Sequence, residues 1–146
     1  MRNGTDRCGT GGTNTRRWRY RVARTRRAIG RFADALDRDL AAIGVPGNVR
    51  STLATVLDEL LANVLMHADS ARGPVHVHLR TRGGELTARL RYLASPFDPT
   101  QHAAPQVAAS IAQAPVGGAG IAMVRALTRE FAWCHRRGEN RLRVRV

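Results

Sequence analysis

The hydrophobic period of this chain changes sharply near its middle. From Arg24 to Ile43 the apolar set Ile29, Phe32, Ala33, Leu36, Leu40 and Ile43 recurs every three or four residues, the spacing of one buried helix face. Gly44 and Pro46 close that stretch. A second helical run extends from about Asn48 to His67, with Leu53, Val56, Leu57, Leu60 and Val64 as its buried stripe. From Val75 the period drops to two. Val75, Val77 and Leu79 alternate with His76, His78 and Arg80, then Leu86, Ala88, Leu90 and Tyr92 alternate in turn. Gly83-Gly84 sits between these runs as a hairpin turn. A pattern of one period cannot bury its apolar face in the other geometry, so the chain must lay helices on a sheet.

The flanks extend this reading. Trp18, Tyr20 and Val22 alternate with Arg19 and Arg21, which predicts a first edge strand. Residues 98–116 are rich in Ala, Pro and Gln with little pattern, and a connection of that length suits a functional lid. Gly117-Gly118-Ala119-Gly120 leads into a third helix, about Ala119–Arg129. A last hairpin follows: Phe131–His135, a turn through 136–140, then Leu142, Val144 and Val146 alternating with Arg. The expected fold is α+β over residues 16–146: a two-layer sandwich whose mixed, mostly antiparallel sheet is covered on one face by about three helices. Residues 1–15 lack periodicity and are expected to be a disordered tail.

Charge and cysteine content bound the setting. The chain has 146 residues, enough for one core. No run approaches the ~18 apolar residues of a membrane helix, and residues near the N-terminus lack the apolar stretch of a secretory signal. Cys8 and Cys134 are the only cysteines, and Cys8 lies in the polar tail, so a cytoplasmic protein without a structural disulfide is expected. All 24 basic residues are Arg, and ten fall within residues 1–31 against one acid, Asp6. Such a leader suits a nucleic acid, a membrane surface or an acidic partner, and equally plain solvation. Trp18 and Tyr20 among Arg could stack on bases, but their alternation reads as an ordinary strand. Neither nucleic acid nor membrane is therefore expected as a partner.

Glu59, Asn63 and His67 lie four residues apart on the second helix and form a polar line beside its apolar stripe. A carboxylate, a carboxamide and an imidazole then emerge at the rim of the core. The Asn oxygen and its neighbours can hold Mg²⁺ through oxygen ligands and waters, and the Glu can polarise a hydroxyl. A solvated helix face would show the same spacing. Zinc does not fit one His without Cys. Gly118-x-Gly120 directly before a helix lets backbone approach a ligand and offers free N–H groups to phosphate. Arg125, one turn further on, faces either phosphate or solvent. His76 and His78 share a strand face but bring no third ligand, and His135 beside Cys134 reads the same way.

Together and in order, these segments resemble the GHKL (histidine kinase-like) ATPases, in particular their anti-sigma serine-kinase branch. LDELLANVLMHA (57–68) resembles the motif in which Glu, Asn and a basic residue follow at four-residue steps. SPFDP (95–99) resembles the Pro-Phe segment after the adenine-binding loop, and GGAGIAMVRAL (117–127) the Gly-x-Gly motif that closes the phosphate lid. The resemblance implies a Bergerat-type fold, an ATP·Mg²⁺ site under a lid, and phosphorylation of a STAS-type anti-anti-sigma partner alternating with sequestration of a sigma factor. It further implies a homodimer. By position, Glu59 would be the general base and Asn63 the Mg²⁺ ligand. His67, Tyr92, Ala94, Phe97, Gly117, Gly118, Gly120, Ile121 and Arg125 would line the nucleotide. The family's adenine-binding Asp-x-Gly falls on Tyr92 and Ala94, so the adenine end departs from the pattern. That departure motivates an alternative, a nucleotide-free pseudokinase acting only by sequestration.

Overall fold

Thr25 fixes where the first helix begins. Its backbone is extended, and its hydroxyl accepts a hydrogen bond from the Ala28 N–H at 3.2 Å, satisfying one of the free donors of the first turn. Helix α1 runs Arg26–Ala41 and buries Ile29, Phe32, Leu36 and Leu40. It is shorter than its apolar pattern at both ends. Arg24 turns its guanidinium onto the carbonyls of Gly73 and Ala71, while Ile43 lies in the turn closed by Gly44 at φ 77°. Helix α2, Gly47–His67, packs between α1 and a third helix, α3, at Gly118–Leu127. This computed structural model describes residues 14–101 and 118–146, so the expected tail, most of the expected lid and Gly117 lie outside the described residues.

Five strands form one sheet: β1 Arg16–Val22, β2 Arg72–Arg82, β3 Glu85–Leu93, β4 Glu130–Arg136 and β5 Glu139–Arg145, in the order β1-β2-β3-β5-β4. All four pairings are antiparallel, where the sequence pattern allowed some parallel ones. The connections explain it. Two hairpins reverse the chain directly, and the α1–α2 pair returns it to the end at which β1 finished. Gly83 and Gly84 (φ 57° and 84°) make one hairpin turn, Arg137 and Gly138 (φ 53° and 75°) the other. Paired left-handed residues match the twist of the flanking strands. The second turn is tighter than 136–140, because Arg136 already faces Glu139 across the ladder.

α3 stops at Leu127, two residues short of its expected end. The Thr128 hydroxyl donates to the Val124 carbonyl at 2.7 Å, and the Arg129 N–H donates to the Arg145 carbonyl at 2.8 Å, which commits the chain to the sheet. The core lies between one sheet face and the helices, with Ile121 and Val124 of α3 buried in it. A short 3-10 helix at Pro99–Gln101 follows β3. No helix of the described residues is long and apolar enough to cross a membrane.

The basic leader, from Arg16 on, is therefore an integral edge strand, paired with β2 from Arg16↔Thr81 to Val22↔Val75. Trp18 and Tyr20 turn to the helix side. The Tyr20 ring meets Phe32 edge-on at 5.1 Å, and its hydroxyl donates to Asp39 at 2.7 Å. Neither ring is free to stack on a base.

Candidate functional site

The polar line of α2 meets α3 at Glu59. Asn63 is buried, 5% exposed, flanked in sequence by core residues of the same helix; Glu59 is half-buried one turn earlier. Across from them lies the first turn of α3. The Glu59 carboxylate rests against the α carbon of Gly120, and a Cβ added there would run into it, with the carboxylate carbon 3.1 Å away. With any larger residue at 120 the Glu59 carboxylate would have to move from this position. The Glu59 carboxylate therefore lies at the first turn of α3, where helix N–H groups have no partner within the helix.

The remaining expected residues divide. Ile121 is 2% exposed and packs in the core. Arg125 is exposed. His67 is exposed at the end of α2, and its ring lies nearly parallel to that of Phe97, with centroids 6.3 Å apart and planes at 18°. Phe97 belongs to the segment after β3, where Ala94 is half-buried. The Ala94 N–H donates to the Gly138 carbonyl at 3.2 Å, and its own carbonyl lies 3.1 Å from His135 Nε2. Tyr92 is 2% exposed, and its hydroxyl has no hydrogen-bond partner among the described residues. Burial alone pushes that phenol up to about 12.

With this geometry in place, comparison with known proteins gives one consistent result. The histidine kinase-like ATPase domain family matches residues 21–146, nearly the whole described fold. The chain belongs to that family. It is similar to the serine/threonine-protein kinase BtrW of Bordetella bronchiseptica, with 31% identity over 96 residues that cover 64% of this chain and 68% of that protein. Among solved structures it resembles the RsbU and RsbW domains of a Mycobacterium tuberculosis protein, at a TM-score of 0.64 and 17% identity. That likeness covers 89% of this chain, which spans only 32% of the other, and it supports the shared fold. Family and relative together place this chain among the histidine kinase-like ATPase domains, beside a serine/threonine-protein kinase.

One structural residue of this ATPase domain escaped the sequence reading. Asn140 is fully buried on the core side of β5, in line with Leu142 and Val144. Its carboxamide donates to the Ser95 carbonyl at 2.7 Å and accepts from the Phe97 N–H and from Trp133 Nε1, each at 3.0 Å. It thereby ties the Ser95–Phe97 segment to the sheet. The signal was present: an amide interrupts an apolar alternation at a core position. The expected turn through 136–140 includes it, whereas the observed turn is only Arg137-Gly138 and leaves Asn140 paired in the ladder.

Among the described residues no group of three or more His, Cys, Asp and Glu could hold a metal. Two recesses of about 520 and 420 Å³ open elsewhere, on the sheet face that carries no helices.

Proposed function

We propose that this domain is an ATP-dependent serine/threonine kinase of an anti-anti-sigma (STAS-type) partner, and a sigma-factor binder, in the manner of anti-sigma kinases. The observation that carries it is the contact of Glu59 with Gly120. It joins the carboxylate of the α2 line to the glycine-built N-terminus of α3, which is the arrangement a triphosphate and its cation require on either side. Asn63, buried but at the same helix face, fits a hard cation through its carboxamide oxygen. Bound Mg²⁺·ATP would supply the phosphoryl group and neutralise the charge that develops as it moves.

The chain's own residues then do the following. Glu59 accepts the proton of the partner's serine or threonine hydroxyl. The N–H groups at Gly118–Gly120 would hold phosphate oxygens, with glycine on either side of the small Ala119. Asn63 orients the cation, and Phe97, clamped by Asn140 and stacked on His67, walls the site on its other side. The test is transfer of labelled γ-phosphate from Mg²⁺·ATP to a STAS-type protein, with Glu59→Gln as control. Transfer that Glu59→Gln abolishes supports the reading; transfer undiminished in that variant removes it.

Tyr92 favours a second reading. The aspartate that accepts the adenine amino group in relatives of this type has no counterpart at this position, and a buried phenol stands there. Losing a charge-assisted hydrogen bond costs about 1.5–3 kcal/mol. A pseudokinase that grips its partner without nucleotide would suit that change. Isothermal calorimetry with Mg²⁺·ATP separates the two: a saturable heat supports the kinase, and none at millimolar nucleotide supports the sequestering module.

A further inference from the structure

The helix-free face of the sheet has an unusual composition. Strand alternation and register place twelve arginines and two histidines on it, against three carboxylates, Glu85, Glu130 and Glu139. Arginines stand directly opposite one another across strands at Arg17↔Arg80, Arg89↔Arg143 and Arg91↔Arg141. Like charges so placed destabilise a sheet. A fold tolerates such a breach of local rules where function asks for it.

The carboxylates do not balance it. Glu139 serves Arg91 and Arg141, Glu130 serves Arg143 and Arg145, and Glu85 reaches only Arg145, at 3.7 Å. Among the described residues Arg17, Arg19, Arg80 and Arg89 have no carboxylate partner, the Nε donors of Arg80 and Arg91 make no hydrogen bond, and that of Arg145 comes no closer to a carboxylate than 3.6 Å, at Glu130. The two recesses of this face run between these side chains. His78, in the middle, has its pKa lowered by burial first and then by Arg19, Arg91, His76 and Arg89, as an uncompensated positive field demands.

The occupant must bring the negative charge. The chain cannot supply it, since residues 1–13 hold one acid, Asp6, and residues 102–117 hold none. A second copy carries the same net charge of +13 and the same face. A protein partner needs an apolar anchor, but this face offers only Leu93, at a corner. Base stacking needs exposed rings, and Trp18, Tyr20, Tyr92 and Trp133 all belong to the helix side. What remains is a regular array of guanidinium groups. Along one strand they recur every second residue, about 6.8 Å, close to the step between successive phosphates of one nucleic-acid strand. We infer that the helix-free face binds the phosphate backbone of duplex nucleic acid, without reading its sequence. This surface is independent of the nucleotide site.

The experiment titrates labelled duplex DNA of arbitrary sequence with the full chain across a salt series. Binding should weaken with a log–log slope of about −4 or steeper, since each neutralised phosphate contributes about −0.9. Arg19→Gln/Arg80→Gln/Arg89→Gln should lower affinity at least tenfold and make the slope shallower by about 3. Arg26→Gln/Arg27→Gln/Arg31→Gln on α1 removes equal charge from the opposite layer and should change affinity less than twofold. Circular dichroism confirms that both variants are folded. Absent binding at low salt, a slope near zero, equal losses in both triple variants, or tighter binding of polyglutamate than of DNA would each overturn the inference.

Discussion

The carboxylate of Glu59 lies against the α carbon of Gly120, where the first atom of any side chain at 120 would have to go. One contact thus couples the second helix to the turn that opens the third. Gly120→Ala tests it without touching the core. The obstructing atoms are the far end of a flexible side chain, so the carboxylate can swing aside and stability should fall by no more than about 1 kcal/mol. Phosphoryl transfer should fall at least tenfold, because the displaced carboxylate no longer meets the hydroxyl it must deprotonate. The measurement pairs a thermal melt with a phosphorylation assay. Full activity in the variant would show that the contact is incidental.

Asn140 should behave as a structural clamp. Replacing it by Ala strands Trp133 Nε1 and the Phe97 N–H and leaves a buried gap. Each orphaned or lost bond costs about 0.5–1.5 kcal/mol, so a loss of about 2–4 kcal/mol is expected in urea denaturation. Nucleotide affinity should drop as well, since Phe97 loses its anchor beside His67. Asn140→Asp keeps the acceptor and should recover the Trp133 and Phe97 bonds but not the one to Ser95.

How much of this was legible in the sequence depends on range. The switch of period from helix to strand is a local property, and it located all eight helices and strands to within a few residues. The pairing of α2 with α3 was implied by Glu59, Asn63 and the glycines only once they were taken together. The meeting of Glu59 with Gly120 spans sixty-one residues of chain, and no local pattern encodes it. Ile121 was placed at the ligand because it sits inside a motif, whereas the packing of α3 makes it a core residue. The arginine lattice was invisible for a related reason. Each strand alone shows an ordinary solvated face, and only the register reveals that Arg89 opposes Arg143 and Arg91 opposes Arg141.

Tyr92→Phe separates structure from ligand. The hydroxyl is buried without a partner, so removing it relieves a desolvated polar group and should leave stability unchanged or raise it by up to about 1 kcal/mol. If the phenol contacts the base of a bound nucleotide, the same variant lowers affinity about tenfold, the worth of one hydrogen bond. Calorimetry on the two proteins reads this directly. Equal affinities would assign Tyr92 to packing alone.

The buried phenol of Tyr92 and the half-buried one of Tyr20 also set an alkaline limit. Tyr92 is pushed up from 10 to about 12 by burial, and Tyr20 is raised in the same direction by burial and then by its hydrogen bond to, and the charge of, Asp39. In the unfolded chain both ionise near 10. The folded state therefore holds these protons more tightly, so their contribution is complete below pH 10 and is lost as pH rises from there towards about 12. The urea midpoint should fall steadily over that window, with phenolate absorbance appearing only as the protein unfolds. Tyr92→Phe removes one of the two linked groups and should flatten the decline, while Asp39→Asn, which takes away the charge beside Tyr20, should flatten it by the other route. A midpoint that holds constant to pH 12, or phenolate absorbance from both tyrosines in the folded state near pH 10, would contradict the burial of these two rings.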